Sequence, residues 1–182
     1  MVKRQKSSSV AMGGVICALC VVVMLSGSII PAATFCAPAL AGALLMAVAV
    51  DAGMKQAWTC YGVVALVSLL FVPDKEMALF FALLFGYYPL LKAYLQRLPG
   101  HVMPFCCKLA VFNLAVVAVY SLLLFVFPMP GLVEEFAESQ PWMLAVLLVL
   151  GNVSFVIYDS ALFHVVHLYV RRIRPRLRHR TH

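Results

Sequence analysis

Apolar residues run through this chain in six long blocks, separated by short polar or proline-bearing stretches. The blocks cover about residues 12–30, 35–50, 57–72, 77–95, 109–127 and 142–170. None shows the long polar/apolar alternation of a β-barrel strand. A helix crosses a bilayer with about 20 mostly apolar residues, and about 17 can suffice. Each block therefore predicts a membrane-spanning helix. The second and third are short, which calls for tilt against neighbours or a locally thinned bilayer. The first ends at Pro31 and the third before Pro73, while Pro38 falls in the first turn of the second, where a missing N–H does no harm. The sixth outruns the bilayer, so its last turns emerge on one side. The predicted fold is an all-α integral membrane protein. Its six-transmembrane-helix bundle lies between a basic N-terminal stretch (residues 1–11) and a basic tail (residues 171–182).

Composition supports this pattern and removes competing classes. The 182 residues are 64% hydrophobic and only 12% charged. A soluble domain is closer to half apolar and a quarter charged, and a chain this size has too little interior to hide such an excess from water. A soluble enzyme, a disordered tail and a disulfide-stapled secreted scaffold are thereby excluded. The net charge of +7 is a matter of placement. With the N-terminus inside, Lys3, Arg4, Lys6, Lys55, Lys92, Arg97, Lys108 and the six arginines from Arg171 to Arg180 fall on the cytoplasmic side. Lys75 alone falls outside, with Asp74, Glu76, Glu134, Glu135 and Glu138. Cytoplasmic Lys/Arg bias sets topology, so both termini are expected in the cytoplasm. The first block begins like a signal peptide, but its apolar run is too long and its removal would leave five spans with the wrong alternation. It is expected to remain as a span.

Polar and small residues inside this frame supply the candidate chemistry. Lys92, Asn113, Asn152 and Asp159 lie at membrane depth, where ionisable groups are costly and face the bundle interior. Asn152 and Asp159, seven apart, share a helix face. The expectation is a buried Lys92–Asp159 pair supported by Asn113, acting either as a functional network or as polar glue between helices. Pro89 cannot donate its N–H and clashes with the carbonyl four residues back, so Gly86-Tyr87-Tyr88-Pro89 predicts a kink near Phe85. Ala11, Gly14 and Ala18 form a small-residue face on the first helix, suited to close backbone approach. That face packs within the bundle or docks a second membrane subunit. At the outer end, Asp74 is placed to cap the following helix, and Lys75 between Asp74 and Glu76 could meet a zwitterionic ligand. Thr34 could line a pocket mouth there, and the acidic stretch carrying Glu134 and Glu135 before Trp142 could be a lid or a connector.

The six cysteines, including Cys17-x-x-Cys20, read as small apolar filler, and His164 and His167 lack ligand partners, so no metal is expected. The tail's arginines anchor topology at anionic lipid, and no nucleic-acid partner is expected. No H-E-x-x-H or G-x-S-x-G appears, and no paired carboxylates lie in neighbouring spans, so no enzyme is expected, and no cofactor.

A basic start, six spans in about 180 residues, short proline-bounded second and third helices and a small-residue motif on the first resemble the substrate-binding S component of energy-coupling factor (ECF) transporters. In place of that family's Ala-x-x-x-Ala the chain has Gly14-Val-Ile-Cys-Ala18, so the first position departs. The resemblance implies a bacterial cytoplasmic-membrane subunit that binds one vitamin-like small molecule near the outer face. The pocket would lie beneath the 31–37, 73–76 and 129–141 loops, with Thr34, Asp74, Lys75, Glu76, Glu134, Glu135 and Trp142 as its candidate residues. It further implies that Ala11, Gly14 and Ala18 contact a transmembrane coupling subunit carrying two ATPases. The alternative is a non-catalytic membrane scaffold or assembly protein without an outer cavity.

Overall fold

A computed structural model describes residues 2–30, 33–96, 102–126 and 140–173, and all regular elements among them are helical. They are α1 (Val2–Gly27), α2 (Cys36–Asp51), α3 (Met54–Phe71), α4 (Lys75–Phe80), α5 (Tyr88–Leu95), α6 (Val102–Phe125) and α7 (Pro141–Leu168). A π turn, Phe81–Phe85, joins α4 towards α5, and another, Tyr169–Ile173, ends α7. Among the described residues, five stretches are long and apolar enough to cross a membrane: Val10–Gly27, Met54–Phe71, Lys75–Leu95, Val102–Phe125 and Trp142–Arg171. Helix α2, Cys36–Asp51, expected to be a span, is apolar but has 16 residues, about 24 Å of helix at 1.5 Å per residue.

The two largest boundary differences from the sequence expectation are at helix starts. Helix α1 begins at Val2 rather than near residue 12, so the basic N-terminal stretch is helical from Val2. Helix α6 begins at Val102 rather than 109. Hydropathy marks only the apolar part of a helix. Pro104 in the first turn of α6, where proline is tolerated, is the local sign of the earlier start.

The stretch Lys75–Leu95 is the axis of the molecule, with 61% of its residues buried against 11% for Trp142–Arg171. It separates two apolar clusters. One unites Cys20 and Met24 of α1, Leu45 and Val48 of α2, Val64 of α3, and Met77 and Phe81. The other unites Leu84 and Tyr88 with Phe112, Val119 and Leu123 of α6 and Phe155 of α7. Helix α2 reaches the axis through Ala37, Ala41, Gly42, Leu45 and Val48, a stripe at helical spacing. A Cβ at Gly42 would overlap the Phe85 carbonyl, so only glycine lets these backbones approach so closely. The turn from α2 to α3 uses Gly53 at φ +97°, with Ala52 and Gly53 N–H groups both donating to Val48 O. Glycine enters that region without steric cost.

The axis is not one regular helix. Gly86 N–H bonds Phe81 O, five residues back, at 2.8 Å, which denies Ala82 O its usual donor. Tyr61 of α3 replaces it, its hydroxyl donating to Ala82 O at 2.6 Å. Pro89 then sits in the first turn of α5, where its missing N–H is harmless. The break thus starts a turn earlier than Phe85, as a π turn over Phe81–Phe85 and a two-residue turn at Gly86 and Tyr87. Tyr87 meets Tyr61 edge-on, ring centroids 6.3 Å apart, and a Cβ at Gly86 would press on the Tyr61 ring at 2.8 Å.

Candidate functional site

Two polar clusters occupy opposite ends of the bundle. At the end where α5 finishes and α6 begins, Tyr88 and Lys92 project from one face of α5 at i and i+4. The Lys92 ammonium donates to Asp159 Oδ1 at 2.6 Å and to the Asp159 main-chain oxygen at 2.5 Å. The Tyr88 hydroxyl donates to the same Oδ1 at 2.6 Å. Lys108 of α6 donates to Oδ2 at 2.9 Å. One carboxylate on α7 therefore gathers three side chains from two other elements. The Lys92 side chain is 6% exposed and that of Asp159 21%, so the pair is largely withdrawn from solvent. Two lysines against one carboxylate leave a formal charge of +1 on the cluster.

The expected Lys92–Asp159 contact is present, but its expected support from Asn113 is not. Asn113 instead pairs with Asn152, each amide donating to the other's carbonyl at 3.0 Å. Each Nδ2 also donates to the backbone oxygen four residues back, Leu109 and Leu148, at 2.8 Å. Helices α6 and α7 explain this assignment. Moving five residues along α6 from Lys108 to Asn113 is matched by moving seven back along α7 from Asp159 to Asn152. Asn113 is thus about two turns from Asp159 along the seam. Phe155 fills the interval, stacked on Phe112 at 4.6 Å and edge-on to Tyr88 at 4.8 Å. Asn152, Phe155, Asp159 and Leu162 make one stripe on α7 at spacings of three and four. Most of the remaining surface of α7 is exposed and apolar, Val149, Val153, Ile157 and Phe163 among it. Beside the cluster the Tyr158 hydroxyl is buried without a hydrogen-bond partner.

Between α2, α5 and α7 a crevice of about 210 Å3 opens at the same end, walled by Met46, Lys92, Gln96, Leu162, Phe163, Val166, His167 and Val170 among others. Below it Tyr169 donates a hydrogen bond to Asp51 of α2, tying the end of α7 back to the bundle. Sequence reasoning did not find Lys108, Gln96 or the Tyr169–Asp51 link.

At the opposite end Asp74 and Lys75 cap and close neighbouring helix ends, while Thr34 and Glu76 make longer-range links. Asp74 Oδ1 accepts from Met77 N–H at 3.0 Å and caps α4. Thr34 Oγ1 donates to Asp74 Oδ2 at 3.3 Å. Among the described residues Lys75 forms no ion pair with either neighbouring carboxylate; its ammonium donates to the Leu69 and Val72 carbonyls at 3.0 and 3.1 Å, closing the C-terminus of α3. Glu76 Oε1 accepts from the Tyr120 hydroxyl at 3.4 Å, and Trp142 is exposed, its Nε1 donating to Gln140 at 2.8 Å. Glu134 and Glu135 lie outside the described residues, as do most of the expected lid and Pro31.

The small-residue face of α1 points away from the bundle. Ala11, Gly14 and Ala18 are exposed, and nothing lies within 4 Å of a Cβ placed on Gly14. Packing of this face within the bundle is therefore overturned. The glycine that packs is Gly13, whose Cβ would meet Gln56 at 3.0 Å and Cys60 at 3.3 Å. The six cysteines are free thiols, Cys20 and Cys60 buried in the first apolar cluster.

No protein-family model, no curated protein and no solved structure matches this chain.

Proposed function

We propose that the chain is a multi-pass membrane subunit with six crossings and both termini cytoplasmic, docked through α1 to a second membrane protein. In its most specific form it is the vitamin-like substrate-binding subunit of an ECF-type importer in a bacterial cytoplasmic membrane, without enzymatic activity of its own. The observation that carries the docking is the open space around Gly14. Against lipid alone a leucine serves as well as a glycine. Small residues at this spacing matter where another helix backbone comes close. The orientation rests on the order of charges along the chain: with the termini inside, Lys55, Lys92 and Lys108 fall in inner segments and Asp74 and Glu76 in an outer one, as cytoplasmic Lys/Arg bias requires. The short α2 crosses where the bilayer is thinned or where neighbours cover it.

A scaffold or assembly role is the second reading, favoured by one observation. Thr34, Asp74, Lys75 and Glu76 already have partners within the chain, which leaves less of the expected ligand set free. Both readings require α1 to dock and differ in the ligand. Native mass spectrometry of the gently solubilised protein separates them. The importer reading expects a coupling subunit with two ATPases and a retained small molecule, with the coupling subunit lost in Gly14→Leu. The scaffold reading expects a different membrane partner and no ligand. A chain that emerges alone and ligand-free, and whose thermal stability ignores a vitamin panel, contradicts the importer reading.

A further inference from the structure

The crevice between α2, α5 and α7 is separate from the expected outer pocket, and neither reading above uses it. Its volume, about 210 Å3, falls below the roughly 300–1,000 Å3 that encloses a whole drug-sized ligand. It suits one end of a larger molecule. Its wall divides by chemistry: Leu162, Phe163 and Val166 are apolar, while Lys92, Gln96 and His167 carry hydrogen-bond donors. Lys92 belongs to the cluster in which two ammonium groups share the single carboxylate of Asp159. Its three N–H bonds meet two acceptors there, Asp159 Oδ1 and the Asp159 carbonyl. A largely buried excess of positive charge is costly unless an anion offsets it. From Phe163 toward the middle of α7, Val156 and Val149 follow at spacings of seven on the same side of the helix and continue an exposed apolar surface, while Arg171 follows Val170 of the crevice wall.

We propose that the crevice holds a phosphate-bearing anion, supplied as the headgroup of one anionic phospholipid whose acyl chain follows the exposed apolar surface of α7. The phosphate offsets the formal +1 of the Lys92–Lys108–Asp159 cluster and accepts from Gln96 and His167. The chain covers side chains that water would otherwise meet. Such a lipid joins α7, the least buried span, to α2 and α5.

The test is thermal unfolding of the full-length protein in neutral detergent, titrated with phosphatidylglycerol, phosphatidylcholine or inorganic phosphate. Phosphatidylglycerol is expected to raise the midpoint saturably, with phosphatidylcholine and phosphate giving little change. Gln96→Glu sets a negative charge on the crevice wall without touching the Asp159 contacts, and it should weaken the phosphatidylglycerol effect by about fivefold, the worth of one basic contact near a membrane surface. Lys55→Gln, at the same end but outside the crevice, should leave it unchanged. Equal stabilisation by phosphatidylcholine overturns the proposal. So does a phosphatidylglycerol effect that Gln96→Glu leaves intact, which would assign it to the basic surface at large. If inorganic phosphate alone stabilises as strongly and shows the same Gln96→Glu loss, the source is a soluble anion and the lipid assignment falls. Carbonate extraction of each variant from membranes reports insertion independently, so failure of lipid binding is distinguishable from failure of the membrane reading.

Discussion

The two polar ends of this bundle use similar residues to opposite purposes. Around Asp74, the charged groups act on nearby main chain: the cap on Met77 and the Lys75 bonds to Leu69 and Val72 span at most six residues of sequence, and the links from Thr34 and Tyr120 are single hydroxyl bonds of 3.3 and 3.4 Å. The charged groups finish one helix and start the next. Around Asp159, every side-chain partner is 51 or more residues away, and the bonds join α5, α6 and α7. Local polar groups shape a turn, whereas distant ones decide whether a helix stays attached. The difference matters most for α7, whose candidate span is 11% buried and whose hold on the bundle is the stripe of Asn152, Phe155, Asp159 and Leu162, the Tyr158 ring against Phe85 and Tyr88, and the Tyr169–Asp51 bond at its end.

The largest expected effect follows from breaking the distant cluster. Asp159→Asn leaves two ammonium groups facing one another without a carboxylate, and should cost about 3 kcal/mol, in the range for unpairing a buried charge. Detergent-phase thermal unfolding reads this, with α7 more open to protease. Midway between the ends, Gly42→Ala forces a methyl onto the Phe85 carbonyl and should cost about 2 kcal/mol, as overpacking does. At the local end, Asp74→Ala removes only a helix cap and should cost about 1 kcal/mol. Asn113→Leu opens the amide pair to Asn152 for about 0.6 kcal/mol, the average for such bonds between membrane helices. Gly14→Leu, outside both clusters, should shift the isolated chain by less than about 0.5 kcal/mol while eliminating partner co-purification. A large loss of stability in Gly14→Leu would place that face inside the bundle after all.

The sequence was informative where chemistry is local or exceptional. Long apolar blocks announced the helices, Asp74 announced its cap, and Lys92 and Asp159 stood out as ions in apolar surroundings. Lys108 did not, because it was assigned to a polar connection. Only when α6 begins at Val102 does Lys108 ride on a helix at the depth of Asp159. Asn113 was matched to the wrong partner for a related reason. Which polar group meets which depends on the relative register of α6 and α7, and register is fixed by the packing of Phe112 and Phe155, not by spacing within either helix. The Ala11, Gly14 and Ala18 face was legible as a motif, but its direction was not. Gly13, one residue away, turns a different face of α1 toward Gln56 and Cys60. The crevice had no signature in sequence, since its walls come from three helices at unrelated positions.

The central claim is that charge coupling at Asp159 holds α7 to the rest of the bundle. Its most direct test compares the unfolding midpoint of Asp159→Leu with that of the triple variant Lys92→Met, Lys108→Met and Asp159→Leu. A buried ionic cluster exchanged whole for apolar side chains is often neutral or stabilising, whereas removing one partner is severe. The triple variant should therefore recover most of the stability that Asp159→Leu loses. A triple variant as unstable as the single one, or less stable, would contradict the claim.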